Sequence, residues 1–116
     1  MVYKKIRLSY KNKKFNLNLK KVGRGSTGLI FRIRSRAKAL LFEFNKPTNI
    51  EMSSLLVFFP FVIIWLDDKD KIIECRLIKP FTLTVRQKIK FTKLIEIPIN
   101  QKYREVISLL VDTRKI

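Results

Sequence analysis

The three glycines of the chain, Gly23, Gly25 and Gly28, fall in the spacing G-x-G-x-x-G. In a dinucleotide site that spacing permits a tight turn and brings phosphate to a helix N-terminus inside a βαβ unit. Here no long amphipathic helix follows, and Arg32-Ile33-Arg34-Ser35-Arg36 interrupts any crossover. The glycines therefore read as a loop leading into a short helical turn. Asp67, Asp68 and Asp70 are dense enough in acid for a calcium loop but lack its glycine and distal glutamate. They read as a solvated hairpin tip, and no metal site is expected. A carboxylate pair for acid–base work needs two acids held across a cleft. Glu43 and Glu51 flank Pro47, yet nothing in the sequence forces them together. Histidine is absent, which excludes every histidine-based triad and the commonest metal ligand. Ser26-Thr27 beside Arg24 is the best nucleophile candidate, with only lysine available as its base. The expectation is a non-catalytic chain with no cofactor.

Charge is the loudest property. Lys and Arg number 26 against 9 Asp and Glu, a formal net charge of +17. Half of these cations precede Phe42, and no acid occurs before Glu43. Such a basic half points to an anionic partner, either nucleic acid or an acidic membrane surface. Solubility or host composition is the competing explanation. The polyanion-binding candidates are Lys11, Lys13, Lys14, Lys20, Arg24, Arg32, Arg34 and Arg36. The arginines would give bidentate phosphate donors. No aromatic alternates with the outward positions, so phosphate contact is expected rather than base stacking.

Those charges must be positioned by strands. Ile6, Leu8 and Tyr10 alternate with charged and polar residues, as do Phe15, Leu17 and Leu19. Period two on both sides of Lys11-Asn12-Lys13 predicts an antiparallel hairpin over residues 1–22, with Lys14 and Lys20 on one face. Residues 37–44 read as a strand, and Asn45–Asn49 around Pro47 as a loop. The core is Leu55–Leu66, twelve residues without a charge and interrupted by Pro60. It is shorter than the ~20 residues a membrane helix needs. Phe61–Leu66 therefore predicts a strand buried on both faces, and Lys71–Ile78 its returning partner. Phe81–Arg86 alternates, and Ile89–Ile97 predicts a further strand. From Asn100 the period becomes i, i+3, i+4, i+7 through Tyr103, Val106, Ile107 and Leu110. That is a short amphipathic helix with Asn100 as its N-cap.

The fold class expected is mainly β: a single-domain antiparallel sandwich or barrel-like fold with one or two short helices. Cys75 is alone and reads as a small packing residue. Met1–Tyr10 has no apolar segment behind its charges, so a cytoplasmic location is the expectation.

Several segments, in order, resemble the "domain of unknown function 192" family. They are Gly28-Leu29-Ile30-Phe31-Arg32, Leu40-Leu41-Phe42-Glu43-Phe44, Phe58-Phe59-Pro60 followed by Trp65-Leu66-Asp67, Lys79-Pro80, and Leu94-Ile95-Glu96-Ile97-Pro98. The likeness spans residues 28–116 and implies a compact sandwich or barrel-like domain without implying an activity. Glu51, Val62 and Asn100 depart from the family's pattern. A cleft near Arg32 and Glu43 follows from the resemblance as a place for a small ligand, sugar or protein. Three functions remain open: polyanion binding by the basic half, ligand binding in that cleft, and a purely structural domain.

Overall fold

A computed structural model describes residues 3–22, 38–49, 59–82, 85 and 87–112. Six strands form one sheet: β1 (Tyr3–Tyr10), β2 (Lys13–Val22), β3 (Leu40–Thr48), β4 (Phe61–Leu66), β5 (Ile72–Ile78) and β6 (Phe91–Pro98). Their order is β1-β2-β3-β6-β4-β5. A single 3₁₀ turn, Gln101–Tyr103, runs into the helix α1 (Arg104–Leu110). The barrel-like expectation holds, as one curled sheet. One joint departs from the antiparallel expectation, because β2 and β3 pair in parallel. Two parallel neighbours need a long crossover, and residues 23–39 supply its length.

The hairpin forms where the period of two predicts it. Ile6 faces Leu17 and Leu8 faces Phe15 across the pair. The turn is Lys11-Asn12, with φ of 50° and 66°. Positive φ at both central residues matches a type I′ turn, whose twist suits the flanking strands. Asn12 tolerates that conformation readily.

β4 is buried along its whole length, between β5 and β6. Its alternate residues feed two cores. Val62, Ile64 and Leu66 meet Ile6, Leu8, Leu17, Leu19, Leu41, Ile95 and Ile97 inside the curl. Phe61, Ile63 and Trp65 join Leu40, Phe59, Phe91 and Leu94 on the opposite face. Trp65 meets Phe91 edge-on, and the Arg76 guanidinium sits 5.1 Å over the indole.

The helix plugs the curl. Asn100 caps the 3₁₀ turn that leads into it, its side chain accepting from Lys102 N at 3.1 Å, while α1 itself begins after Tyr103 without a side-chain cap. Tyr103, Ile107 and Leu110 are buried, while Lys102, Arg104 and Glu105 face water. The Tyr103 hydroxyl accepts from Ala39 N at 2.7 Å, fixing the helix to the start of β3. No helix among the described residues is long and apolar enough to cross a membrane.

Three details correct the sequence reading. β3 continues through Pro47 to Thr48, where the expectation was a loop; a register shift against β6 between Glu43 and Thr48 accommodates it. β6 begins at Phe91, and Ile89 ahead of it is 62% exposed. Phe81 sits in a turn with φ of 63°, so the alternation from Phe81 does not begin a strand there.

Trp65→Ala is expected to cost about 3–5 kcal/mol in chemical denaturation, through a cavity in the outer core. Loss of less than about 1 kcal/mol would show that this face is poorly packed. Ile107→Asp is expected to unfold the domain or loosen it measurably, and Glu105→Ala to change stability by no more than about 0.5 kcal/mol. Equal effects would contradict the docking of α1.

Candidate functional site

The curl brings the two edges of the sheet together. Across the ladders, Tyr3 lines up through Lys20, Leu40, Glu96 and Ile63 with Arg76. The contact that joins the edges is elsewhere: the Tyr10 hydroxyl is hydrogen-bonded to Cys75. That offset along the strands is the stagger a closing sheet requires. The Cys75 thiol in turn donates to Leu110 O at 3.4 Å. β1, β5 and α1 therefore meet at one sulfur. The hydrogen bond to Cys75, then burial, pushes the Tyr10 phenol up to about 12. Burial pushes the Cys75 thiol up as well, against the opposing hydrogen bond from Tyr10. Cys75 is thus a packing and joining residue.

Beside this seam lies an open cleft of about 630 Å³. One wall is the hairpin, with Arg7, Leu8, Ser9 and Lys14; the other is the β4–β5 turn, with Lys69, Asp70, Lys71 and Ile72. Among the described residues, four cations and one acid line it. The acid is occupied, since Asp70 pairs with Lys93.

The turn itself explains why three aspartates do not make the cleft acidic. The Asp67 carboxylate accepts from Lys69 N at 2.8 Å and Lys71 N at 2.9 Å. Asp70 takes a φ of 61°, and its N–H reaches Asp67 O at 3.2 Å. The Lys71 N–H bond, followed by that of Lys69 and the two lysine charges, holds the Asp67 carboxyl below its usual range. The aspartates shape the turn, and Lys69 and Lys71 line the cleft.

Of the polyanion candidates, the structure brings Lys14 into the cleft. Lys11 stays at the hairpin tip, 5.4 Å from the Tyr10 ring centroid, with Lys13 opposite Tyr10. Lys20 shares a face with Lys14 but lies six residues along β2, about 20 Å away at 3.4 Å per residue. Arg24, Arg32, Arg34 and Arg36 lie outside the described residues, as do Glu51, Ser26 and Thr27. Glu43 is held by Lys21 at 2.9 Å and Lys4 at 3.4 Å. The Lys21 hydrogen bond and the Lys4 charge keep its carboxyl below the usual range. Glu43 serves a surface ion cluster that joins β1, β2 and β3. Sequence reasoning missed Arg7, Lys69 and Lys71 as site residues. The hairpin period places Arg7 outward, but only the curl reveals that the β4–β5 turn stands beside it. Among the described residues no group of His, Cys, Asp and Glu could hold a metal ion.

Solved structures with this architecture include a candidate transcription regulator from Sinorhizobium meliloti 1021. It matches with a TM-score of 0.70 and 14% identity, covering 91% of this chain and 88% of its own. A protein of unknown function from Novosphingobium aromaticivorans matches with a TM-score of 0.67 and 13% identity, covering 90% and 78%. At such identities the likeness carries the fold. No family model and no curated protein matches the sequence.

Folding lowers the Asp67 pKa, so the stability it contributes is present above the ordinary carboxylate range and is lost as pH falls through the folded value. Asp67→Ala is expected to lower the melting temperature at neutral pH, with the gap to the unaltered protein closing below about pH 4. An equal gap at neutral pH and at about pH 3 would show that the carboxylate does not hold the turn.

Proposed function

We propose that the domain is a non-catalytic binding module whose basic cleft takes the phosphate backbone of a nucleic acid without reading its sequence. The observation that carries this reading is the convergence of Arg7, Lys14, Lys69 and Lys71 on one cleft whose only acid among the described residues is already paired. Like charges brought together on a surface repel one another, and a polyanion relieves that repulsion while releasing its own counterions. Lysine and arginine supply the contacts, and among the described residues no aromatic lines the cleft to stack on bases. The description of one fold neighbour as a candidate transcription regulator is compatible with such a role. A non-catalytic assignment is supported by the acids: Asp67 caps a turn, Asp70 pairs with Lys93, and Glu43 pairs with Lys4 and Lys21. Membership of the "domain of unknown function 192" family belongs to the same proposal and adds no activity to it.

Neutralising about four phosphates at the cleft contributes about −3.6 to the slope of log K against log salt on duplex DNA. The double variant Arg7→Ala/Lys14→Ala is expected to flatten that slope by about 1.8 and to weaken all sequences alike. Lys46→Ala/Lys88→Ala, on exposed positions away from the cleft, is expected to leave it unchanged. Absence of a gel shift at micromolar protein and about 0.15 M salt would mean that the basic half is only a solvated surface.

A further inference from the structure

A second cluster of cations lies at the other end of β1. Tyr3, 47% exposed, pairs across the hairpin with Lys20. Lys38 reaches it from the residue before Ala39, with Nζ 2.8 Å from the Tyr3 hydroxyl and 5.1 Å from the ring centroid. Lys102 approaches from the 3₁₀ turn, 5.7 Å from the ring centroid of Tyr103. Tyr103 is itself bonded to Ala39 N. Three chain segments thus direct lysines at one phenol. Lys38, Lys20 and Lys102 all act on the Tyr3 hydroxyl, and the hydrogen bond from Lys38 is the largest influence that lowers its pKa. No ion pair among the described residues gives Lys20, Lys38 or Lys102 a carboxylate.

We propose that Tyr3, Lys20, Lys38 and Lys102 form a second phosphate site, which holds the same nucleic-acid strand as the cleft. The proposal rests on the reading of the cleft given above. Lysine ammonium groups supply the charge for phosphate, and the Tyr3 phenol, accepting from Lys38, holds one of them in place. Tyr3 and Ser9 stand on one face of β1, separated by six residues or about 20 Å. Between them that face presents Lys5 and Arg7, with Asn18 and Asn16 as their cross-strand partners. All four are exposed, and none is acidic. The two sites are therefore the ends of one basic track, long enough for about six base pairs at 3.4 Å each. The track also gives the polar outward face of the hairpin a role that folding alone does not require.

Tyr3 reports on its own site. Its phenol lies below the ordinary tyrosine range, while those of Tyr10 and Tyr103 lie above it. NMR of isotope-labelled tyrosine rings therefore resolves it as the first to ionise, and Tyr3→Phe confirms the assignment by removing that step. The titration is run with a DNA duplex of about 20 base pairs, long enough to cover the track, and with sodium chloride at matched ionic strength. A phosphate that neutralises the lysines removes their pull on the phenol and raises the Tyr3 pKa toward the ordinary tyrosine value. The expected result is this upward shift with duplex and not with salt. Duplex that binds, as read by fluorescence anisotropy, yet leaves Tyr3 unmoved overturns the second site and spares the cleft. Duplex that does not bind at all overturns both.

Discussion

β4 has no side that faces water, and the rest of the fold follows from that constraint. A six-residue strand of large apolar side chains buries both faces only if apolar layers lie above and below it. With a single sheet, one layer comes from the sheet curling until β1 and β2 face β4 across an interior closed by α1. The other comes from Phe59, Val85 and Phe91 on the outer face of β4. Burial of a side chain such as Leu or Phe contributes about 1.5–3 kcal/mol, so a strand with all its residues buried outweighs the cost of bending the sheet's edges together.

The curl also decides where charge accumulates. It sets β1 against β5 with Tyr10 and Cys75 as the meeting point, and it carries the β4–β5 turn to the flank of the hairpin. Cations from sequence positions some sixty residues apart then line one cleft. Four of the described acids are drawn into ion pairs or turns instead: Glu43 with Lys4 and Lys21, Glu74 with Arg76, Asp70 with Lys93, Asp67 with its own turn. Surface pairs of this kind contribute little stability each. Their larger consequence is that few carboxylates remain to answer the lysines of the hairpin face. Asymmetry of charge in the sequence becomes asymmetry of charge in space because the acids nearest the hairpin and the cleft, Glu43 and Asp70, are already paired.

How far the sequence foretells this depends on the range of the interaction. The hairpin, the double-sided burial of β4, its return through β5 and the α1 face are all written in short periods, and Ile6, Trp65 and Ile107 sit where those periods place them. Lys14 is legible for the same reason. Lys69 and Lys71 are masked by their neighbours, since a segment with three aspartates reads as acidic until the hydrogen bonds of Asp67 are seen. The parallel joint between β2 and β3 is a matter of topology, and no local pattern encodes it. Tyr3 gives no signal in the sequence at all: Lys38 and Lys102 reach it only after β3 and the 3₁₀ turn have been placed.

The central claim is that two segments distant in sequence make one phosphate-binding surface. Amide chemical-shift mapping with a short DNA duplex tests it most directly. The account predicts shifts in residues 7–14 and again in residues 69–72, while the amides of β4 stay in place. Shifts confined to the hairpin, with none at Lys69 to Ile72, would contradict it.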